Sequence, residues 1–143
     1  MGPAPAKPAI VIRILVVDDS EIVRKQLSAF LHTADRSFAV CGEAAGGREA
    51  VLKTKELKPD AIILDFALPD GDGITVAREI GALPHKVAIL MYTMHNSPRL
   101  ELEARAAGIL QVVSKPAASN LVLLLRELAQ SKSFQSNPES NEI

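Results

Sequence analysis

Five polar residues that could act together lie directly after apolar stretches that are far apart in the chain. They are a pair of aspartates, a third aspartate, a threonine and a lysine: Asp18, Asp19, Asp65, Thr93 and Lys115. Carboxylates that lie close together repel one another, and Mg²⁺, which prefers oxygen ligands, relieves this repulsion. An aspartate can also be a nucleophile that forms an aspartyl phosphate, and a hydroxyl and an ammonium group can bind phosphoryl oxygens. If these residues converge, they therefore predict magnesium-dependent phosphoryl transfer to an aspartate.

The apolar pattern predicts that they do converge. Short continuous stretches rich in Ile and Val are typical of parallel strands buried on both faces. Five such stretches occupy residues 10–17, 38–41, 61–64, 87–91 and 109–113. Segments with helical spacing alternate with them, and the first has Val23 and Leu27 behind Ser20, a predicted N-cap. This alternation predicts a doubly wound α/β domain, in which the carboxyl ends of the strands share one edge of the sheet and ligands bind at that edge.

Length, composition and charge are those of one ordinary globular domain. A chain of 143 residues fits a single domain, which we predict over residues 11–131, between a flexible segment at 1–10 and a flexible tail at 132–143. The net charge of −1 argues against a protein that coats nucleic acid. The single cysteine, Cys41, is expected in the core and indicates a reducing compartment. No apolar run approaches the ~18 residues of a membrane-spanning helix, so we expect a cytoplasmic protein without nucleic-acid or membrane contacts.

Four stretches of the sequence resemble the receiver domain of bacterial two-component response regulators. They are ILVVDDSEIVRKQL (14–27), PDAIILDFALPDGDGI (59–74), ILMYTMH (89–95) and VVSKP (112–116). The resemblance extends over residues 12–128 and includes all five polar positions in order. It implies a flavodoxin-like doubly wound (βα)5 fold, with a parallel five-stranded sheet in the order 2-1-3-4-5.

The resemblance assigns a role to each residue of the acidic group. It implies that Asp65 accepts the phosphoryl group. It also implies that Mg²⁺, the expected cofactor, is held by Asp18, Asp19 and Asp65, with the backbone carbonyl of Ala67 as a further ligand.

The remaining positions would convert phosphorylation into a change of conformation. Thr93 resembles the switch hydroxyl that moves toward the phosphoryl group, and Lys115 resembles the lysine that pairs with that group. Pro116 corresponds to a proline that commonly follows a cis peptide bond in this family. One departure is Val112, because the family usually has Tyr or Phe three residues before the lysine. The phosphorylation chemistry should not need that ring, but its usual inward movement cannot be expected here.

The function implied by the resemblance is a signalling switch and not an enzyme, with at most slow self-dephosphorylation. A sensor histidine kinase or a phosphotransfer protein would donate the phosphoryl group. The added charge would change the surface formed by the fourth helix, the fifth strand and the fifth helix. That surface would bind a downstream effector or form a homodimer.

Two alternatives remain open at this point. The chain could be the receiver part of a longer DNA-binding regulator of the nitrate-response type, although the 28 residues after Lys115 leave no room for a DNA-binding module. It could also be a phosphatase with an aspartyl nucleophile. Such enzymes have a sequence similar to D-x-D-x-T at the nucleophile. In this chain Phe66 and Ala67 follow Asp65, so the second aspartate of that motif is absent.

Other polar or apolar features have simpler interpretations. We expect His95 to be a solvent-facing loop residue, residues 46–48 to be a turn before the second helix, and Asp70 and Asp72 to be turn and cap residues. Residues 121–125 are five apolar positions in a row, more than one helix face needs. They indicate either a deeply packed helix or one edge that meets a partner.

Overall fold

Five parallel strands and five helices alternate along the chain. The computed structural model describes the backbone of residues 12–135 and the side chains of residues 12–131. The strands of the main sheet are β1 (Ile12–Val17), β2 (Phe38–Ala44), β3 (Ala61–Leu64), β4 (Ala88–Thr93) and β5 (Gln111–Ser114). The helices are α1 (Glu21–Ala34), α2 (Gly47–Leu57), α3 (Gly73–Gly81), α4 (Pro98–Ala106) and α5 (Ala118–Gln135). A separate antiparallel hairpin, which pairs Ala67–Leu68 with Gly71–Asp72, joins β3 to α3.

The order of the strands is β2-β1-β3-β4-β5. Every pairing in this sheet is parallel. The prediction of a doubly wound, flavodoxin-like fold with the order 2-1-3-4-5 is therefore confirmed. The order reverses direction at β1, so that β1 and β3 lie side by side at the topological switch point, where open α/β sheets bind their ligands.

Alternate residues of each strand bury their side chains against opposite layers of helices. On one face, residues such as Leu15, Ile62 and Met91 pack against α2, α3 and α4. On the other face, residues such as Ile14 and Ile63 pack against α1 and α5. We call these the α2–α4 face and the α1–α5 face. Because the sheet is covered on both sides, its central strands must be apolar at every position, which produces the continuous apolar runs of the sequence.

The edge strand β2 is where the predicted strand limits differ most from the structure. The sequence predicted residues 38–41, whereas β2 continues to Ala44 and its pairing with β1 shifts register between Ile14 and Leu15. Most of β2 is only partly buried, so its apolar run is shorter than the strand itself. For the same reason Cys41 is half-buried rather than part of the core, contrary to the prediction. Its partial burial raises the pKa of the thiol.

The start of α1 agrees with the sequence, whereas the end of α5 does not. Ser20 begins α1 as predicted, because its hydroxyl accepts a hydrogen bond from Val23 N at 3.2 Å. At the other end of the chain, α5 includes residues 132–135, which the sequence had placed in the tail. The predicted flexible segment at 1–10 and residues 136–143 of the predicted tail lie outside the described residues.

The apolar run at residues 121–125 is divided between core and surface. Leu121, Val122 and Leu125 are buried on the α1–α5 face, whereas Leu123 is 57% exposed. None of the helices in the described range is long and apolar enough to cross a membrane.

Gly73 allows the backbone of α3 to approach the end of β3 closely, and this contact gives a test of the fold. A Cβ atom at this position would overlap the carbonyl oxygen of Asp65 and lie 2.9 Å from Met91 Cε. We expect Gly73→Ala to lower the free energy of unfolding by about 1–3 kcal/mol, as overpacking does, in urea denaturation monitored by circular dichroism.

Gly81→Ala is the matched control, because Gly81 belongs to the same helix and a Cβ atom added there would meet no atom of the described residues within 4 Å. We expect this variant to keep or gain stability, by up to about 1 kcal/mol. Equal losses in the two variants would contradict the role given to the close contact at Gly73.

Candidate functional site

The sheet itself fixes the backbone of the predicted site residues. Asp18 N donates to the last carbonyl of β2 at 3.0 Å, and Asp65 N donates to Val17 O at 3.0 Å. Lys115 N donates to Thr93 O at 2.9 Å. Each of these residues therefore continues the hydrogen-bond ladder by one position beyond the strand that precedes it. Their side chains leave from the same edge of the sheet, where the sequence predicted that they converge.

The three aspartates form one acidic cluster. Asp18, Asp19 and Asp65 each offer a carboxylate oxygen, and these oxygens lie within 4.8 Å of one another. Asp18 and Asp65 are buried, with 4% and 7% of their surface exposed, whereas Asp19 is exposed. Three carboxylates at this separation repel one another strongly unless a positive charge lies between them.

Lys115 supplies one such charge. Its Nζ atom lies 2.5 Å from Asp18 Oδ2 and 3.1 Å from Asp65 Oδ2. Burial by itself would lower the pKa of this ammonium group, but the hydrogen bonds and charges of Asp18 and Asp65 outweigh it and raise the pKa above its usual value. Lys115 is therefore charged at neutral pH, and one ammonium group faces three carboxylates.

The remaining carboxylate oxygens show where a further cation fits. Asp18 Oδ1 accepts a hydrogen bond from Ser20 N at 2.9 Å. Asp65 Oδ1, in contrast, is buried and accepts no hydrogen bond from the described residues. A buried carboxylate oxygen without a partner is strongly unfavourable, and the donor set around it consists of oxygens only. The site therefore has the chemistry of an acidic pocket for a hard divalent cation such as Mg²⁺.

Thr93 and His95 lie at the end of β4, next to this pocket. Thr93 is fully buried, and its Oγ1 atom accepts a hydrogen bond from His95 N at 3.2 Å. The side chain of His95 is exposed, as the sequence predicted, and meets the ring of Phe66 edge-on with 6.3 Å between the ring centroids. The hydroxyl of Thr93 is thus held at the edge of the sheet by the loop that leads into α4.

Two contacts of the site were not predicted from the sequence. The Nζ atom of Lys115 lies 5.7 Å from the centroid of the Tyr92 ring, within the range of a cation–π interaction. Arg24 donates to the backbone carbonyl of Asp18 at 2.7 Å. Tyr92 immediately precedes Thr93 in β4, so the sequence places the two side chains on opposite faces of the sheet. Only the tertiary structure shows that Lys115 Nζ lies over the ring of Tyr92.

The tyrosine of β4 and the valine that the sequence singled out occupy opposite faces of the sheet. Tyr92 is buried on the α1–α5 face, whereas Val112 is buried on the α2–α4 face, opposite Met91 in the register of β4 and β5. Burial raises the pKa of the Tyr92 phenol, and Asp18 raises it further while Lys115 lowers it. The aromatic ring that Lys115 crosses therefore lies on the side of α1 and α5. The peptide bond between Lys115 and Pro116 is cis, as the resemblance implied.

Comparison with known proteins agrees with this arrangement. The sequence model of the response regulator receiver domain matches residues 14–126 of the chain. The chain belongs to this family. The matched residues include the three aspartates, Thr93 and Lys115.

Similar proteins include both long and short relatives. The chain is 41% identical to a protein-glutamate methylesterase/protein-glutamine glutaminase of Nocardioides sp. over 108 residues, which are 74% of this chain but only 29% of that protein. It is 36% identical to the chemotaxis protein CheY of Thermotoga maritima over 104 residues, which are 73% of this chain and 85% of that protein. The chain thus spans less than a third of the methylesterase relative but most of the length of the chemotaxis relative.

Among solved structures, the receiver domain is similar to the CheX–CheY–BeF₃–Mg²⁺ complex of Borrelia burgdorferi. The TM-score is 0.74 at 27% identity, and the alignment covers 82% of this chain and 88% of the matched chain. Family, sequence relatives and fold together identify a response regulator receiver domain, which is a phosphoacceptor switch.

The contacts of Lys115 predict how the receiver domain responds to removal of this charge. Lys115→Met leaves Asp18 Oδ2 and Asp65 Oδ2 without their shared donor. We expect the free energy of unfolding in the presence of EDTA to fall by about 1–3 kcal/mol, the usual penalty for an unsatisfied buried group. We also expect Mg²⁺ to bind several-fold more tightly, because the ammonium group no longer offsets the negative charge of the same carboxylates. Urea denaturation and calorimetric titration with MgCl₂ measure the two effects.

Lys25→Met serves as the control for the loss of a lysine. The side chain of Lys25 is 64% exposed and pairs with Glu43 on the surface, so its removal should change stability little and leave the affinity for Mg²⁺ unaltered. Unchanged Mg²⁺ affinity in Lys115→Met would contradict this electrostatic effect of the ammonium group on the metal site.

Proposed function

We propose that this receiver domain is switched by phosphorylation of Asp65. The observation that carries the proposal is the environment of its carboxylate, which is buried, bonded at Oδ2 to Lys115 and, among the described residues, without a hydrogen bond at Oδ1. An ionised carboxylate with an open oxygen is a nucleophile that needs no base to remove a proton. Two further aspartates and an ammonium group lie beside it. A cation held by the aspartates and the ammonium group itself can supply the positive charge that the other phosphoryl oxygens need.

The metal in this proposal is Mg²⁺, held by Asp18, Asp19 and Asp65, with the backbone carbonyl of Ala67 as a fourth protein ligand. The oxygen-only donor set and the open Oδ1 atom of Asp65 support this assignment. The similar complex from Borrelia burgdorferi, which contains Mg²⁺ and BeF₃, supports it as well. When bound, Mg²⁺ offsets the negative charge of the phosphoryl oxygens against that of the carboxylates.

The phosphoryl transfer itself requires little of the protein beyond position and charge. An oxygen of the Asp65 carboxylate attacks the phosphorus atom, and a new O–P bond forms as the bond between phosphorus and the donor breaks. The donor is the phosphorylated imidazole of a sensor histidine kinase or of a phosphotransfer protein, and the bonding electrons return to its ring nitrogen. Lys115 is then in place to pair with a phosphoryl oxygen as well as with a carboxylate.

The output of the switch is the surface formed by α4, β5 and α5. Thr93 ends β4, and residues 94–97 lead from it to α4. A turn of its hydroxyl toward a phosphoryl group would release His95 N and so move the start of α4. The elements of this surface, with the turn before β5, expose Leu102, Leu110 and Leu123, which are 73%, 51% and 57% accessible. These apolar side chains support a protein partner, either an effector or a second copy of the chain. A change from mostly inactive to mostly active requires about 5.5 kcal/mol of preference for one state.

In the cell we place this switch in the cytoplasm, without direct contact with nucleic acid or with a membrane. In this proposal the domain is not an enzyme and at most loses its own phosphoryl group slowly. A second form of the same function has support in the methylesterase relative, of which the chain spans 29%. In that form the receiver domain controls an output domain in the same polypeptide. A reading frame that continues past residue 143 into such a domain would establish it, and a stop codon there would exclude it.

The phosphoacceptor is tested with acetyl phosphate and intact-mass spectrometry. We expect one phosphoryl group to be added in the presence of Mg²⁺ and none after chelation, because the carboxylates otherwise repel the phosphoryl oxygens. Asp65→Asn should accept none, since an amide oxygen is a poor nucleophile. Asp19→Asn should still accept a phosphoryl group, because Asp65 remains, but at a lower rate. Phosphorylation of Asp65→Asn to the wild-type extent would disprove the assignment.

The role of Thr93 is tested separately from phosphorylation. We expect Thr93→Ala to accept the phosphoryl group but to lose the accompanying amide chemical-shift changes in α4 and β5, which two-dimensional NMR measures residue by residue. Thr93→Ser keeps the hydroxyl and should keep these changes. If Thr93→Ala shows the full set of shifts, the signal does not pass through this hydroxyl.

A further inference from the structure

The hairpin that follows Asp65 packs its Leu68 side chain on the core of the α2–α4 face and is further held by hydrogen bonds at two points. At its base, Gly73 N donates to Phe66 O at 2.6 Å, directly after Asp65. At its tip, Asp70 lies in the two-residue turn between the paired segments. The carboxylate of Asp70 leaves the hairpin and accepts hydrogen bonds from two backbone amides at the start of α2, Gly47 N at 2.7 Å and Arg48 N at 3.0 Å. Ala67, the predicted source of a metal-binding carbonyl, lies between these two attachments.

The start of α2 is shaped to receive this carboxylate. Its N-cap residue is Gly46, which has no side chain to cap the helix. A Cβ atom on Gly46 would lie 2.9 Å from Asp70 Oδ1, and one on Gly47 would lie 2.5 Å from Val76 Cγ2. The pair of glycines therefore allows a residue more than twenty positions away to replace the missing N-cap. The hydrogen bonds from Arg48 N and Gly47 N also lower the pKa of Asp70, so its carboxylate is charged at neutral pH.

The helix that holds Asp70 is itself firmly connected to the acidic cluster. Ala50 and Thr54 are fully buried on one side of α2. The strand before α2 ends at Ala44, whose carbonyl accepts the hydrogen bond from Asp18 N. A hairpin attached to α2 is therefore held at a constant distance from the strand end that carries Asp18. Without that attachment, the tip of the hairpin loses its hydrogen bonds to α2, and the hairpin keeps only the hydrogen bond at its base and the packing of Leu68.

We propose that Asp70 is a positioning residue of the metal site, which sets the affinity for Mg²⁺ by fastening the hairpin that carries Ala67 to the N-terminus of α2. The inference rests on the proposed function, because it takes the carbonyl of Ala67 as a ligand. Asp70 acts only through the hairpin backbone and contributes no ligand atom of its own.

The difficulty in testing Asp70 is that its removal also uncaps α2. A double variant separates the two effects. In Asp70→Ala/Gly46→Ser, the introduced serine can cap α2 locally and form a capping box with Glu49, and the space that it needs is the space vacated by the carboxylate. Gly46 has extended backbone angles, φ −158° and ψ 177°, which a serine adopts without strain. The double variant therefore restores the cap but not the link to the hairpin.

The measurement is the dissociation constant for Mg²⁺, by calorimetric titration with MgCl₂, beside the free energy of unfolding in urea. We expect Asp70→Ala to bind Mg²⁺ on the order of tenfold more weakly, the lower end of what loss of a ligand-orienting contact does. Asp70→Ala/Gly46→Ser should regain stability but not affinity. Asp70→Asn, which keeps one acceptor oxygen, should lie between wild type and Asp70→Ala and provides the test if the alanine variants do not fold.

Asp35→Ala is the matched control. The carboxylate of Asp35 also accepts a backbone hydrogen bond, from Ser37 N at 2.9 Å, but it lies between α1 and β2 at the opposite edge of the sheet. This variant should lose stability without losing affinity for Mg²⁺.

Two results would overturn the inference while leaving the proposed function intact. Unchanged affinity for Mg²⁺ in Asp70→Ala would show that the hairpin does not need its attachment to α2. Recovery of affinity in the double variant would show that Asp70 is only a cap of α2. If wild type itself binds no Mg²⁺, the proposed function fails and this inference fails with it.

Discussion

Mutual repulsion of buried carboxylates is the constraint on which this structure depends. The apolar strands β1 and β3 pack side by side because both of their faces are covered by helices, and this brings Asp18 and Asp65 together at the strand ends. The hydrophobic core thus stabilises an arrangement that electrostatics opposes. Lys115 reduces the repulsion by bonding to both carboxylates. Asp65 Oδ1 still has no hydrogen-bond partner among the described residues, and the negative charge that Lys115 leaves uncompensated favours a further cation at this edge of the sheet.

The two faces of the sheet give this site two routes to the rest of the molecule. Thr93 leads through the backbone into α4, on the side where Val112 fills the position of the usual aromatic ring. Lys115 lies across Tyr92, whose ring is buried against α1 and α5. In the proposed switch, a phosphoryl group that changed the contacts of Lys115 would therefore act on the α1–α5 face as well as on α4. With Val112, the α2–α4 face has no aromatic ring at this position, whereas Tyr92 places a ring on the α1–α5 face.

The fold was predictable because its central strands are buried on both faces and are therefore apolar along their whole length. A strand such as Ala61–Leu64 is buried on both sides, so its limits in the sequence are its limits in the structure. The edge strand β2 is only partly buried over most of its length and continues through Gly42 and Glu43, so its apolar run ended three residues too early. Ile109 and Leu110 were predicted as strand residues, but β5 begins at Gln111. Ile109 N still donates to Ala104 O of α4, after Gly108 with φ of +90°, and Leu110 N donates to Ile89 O at the start of the pairing with β4.

The sequence alone determined which side chains meet at the sheet edge, because a parallel sheet brings the residues after its strands together whatever the loops between them do. It therefore identified the three aspartates, Thr93 and Lys115. Only the tertiary structure decided which atoms touch: that Lys115 bridges Asp18 and Asp65, that it crosses Tyr92, and that Asp70 caps α2 instead of its own turn. Side chains alternate between the two faces of a strand, so a strand pattern specifies only on which face or at which edge of the sheet a residue lies. The direction of a long side chain and the partner of a loop carboxylate depend on packing between segments far apart in the chain, which no local pattern records.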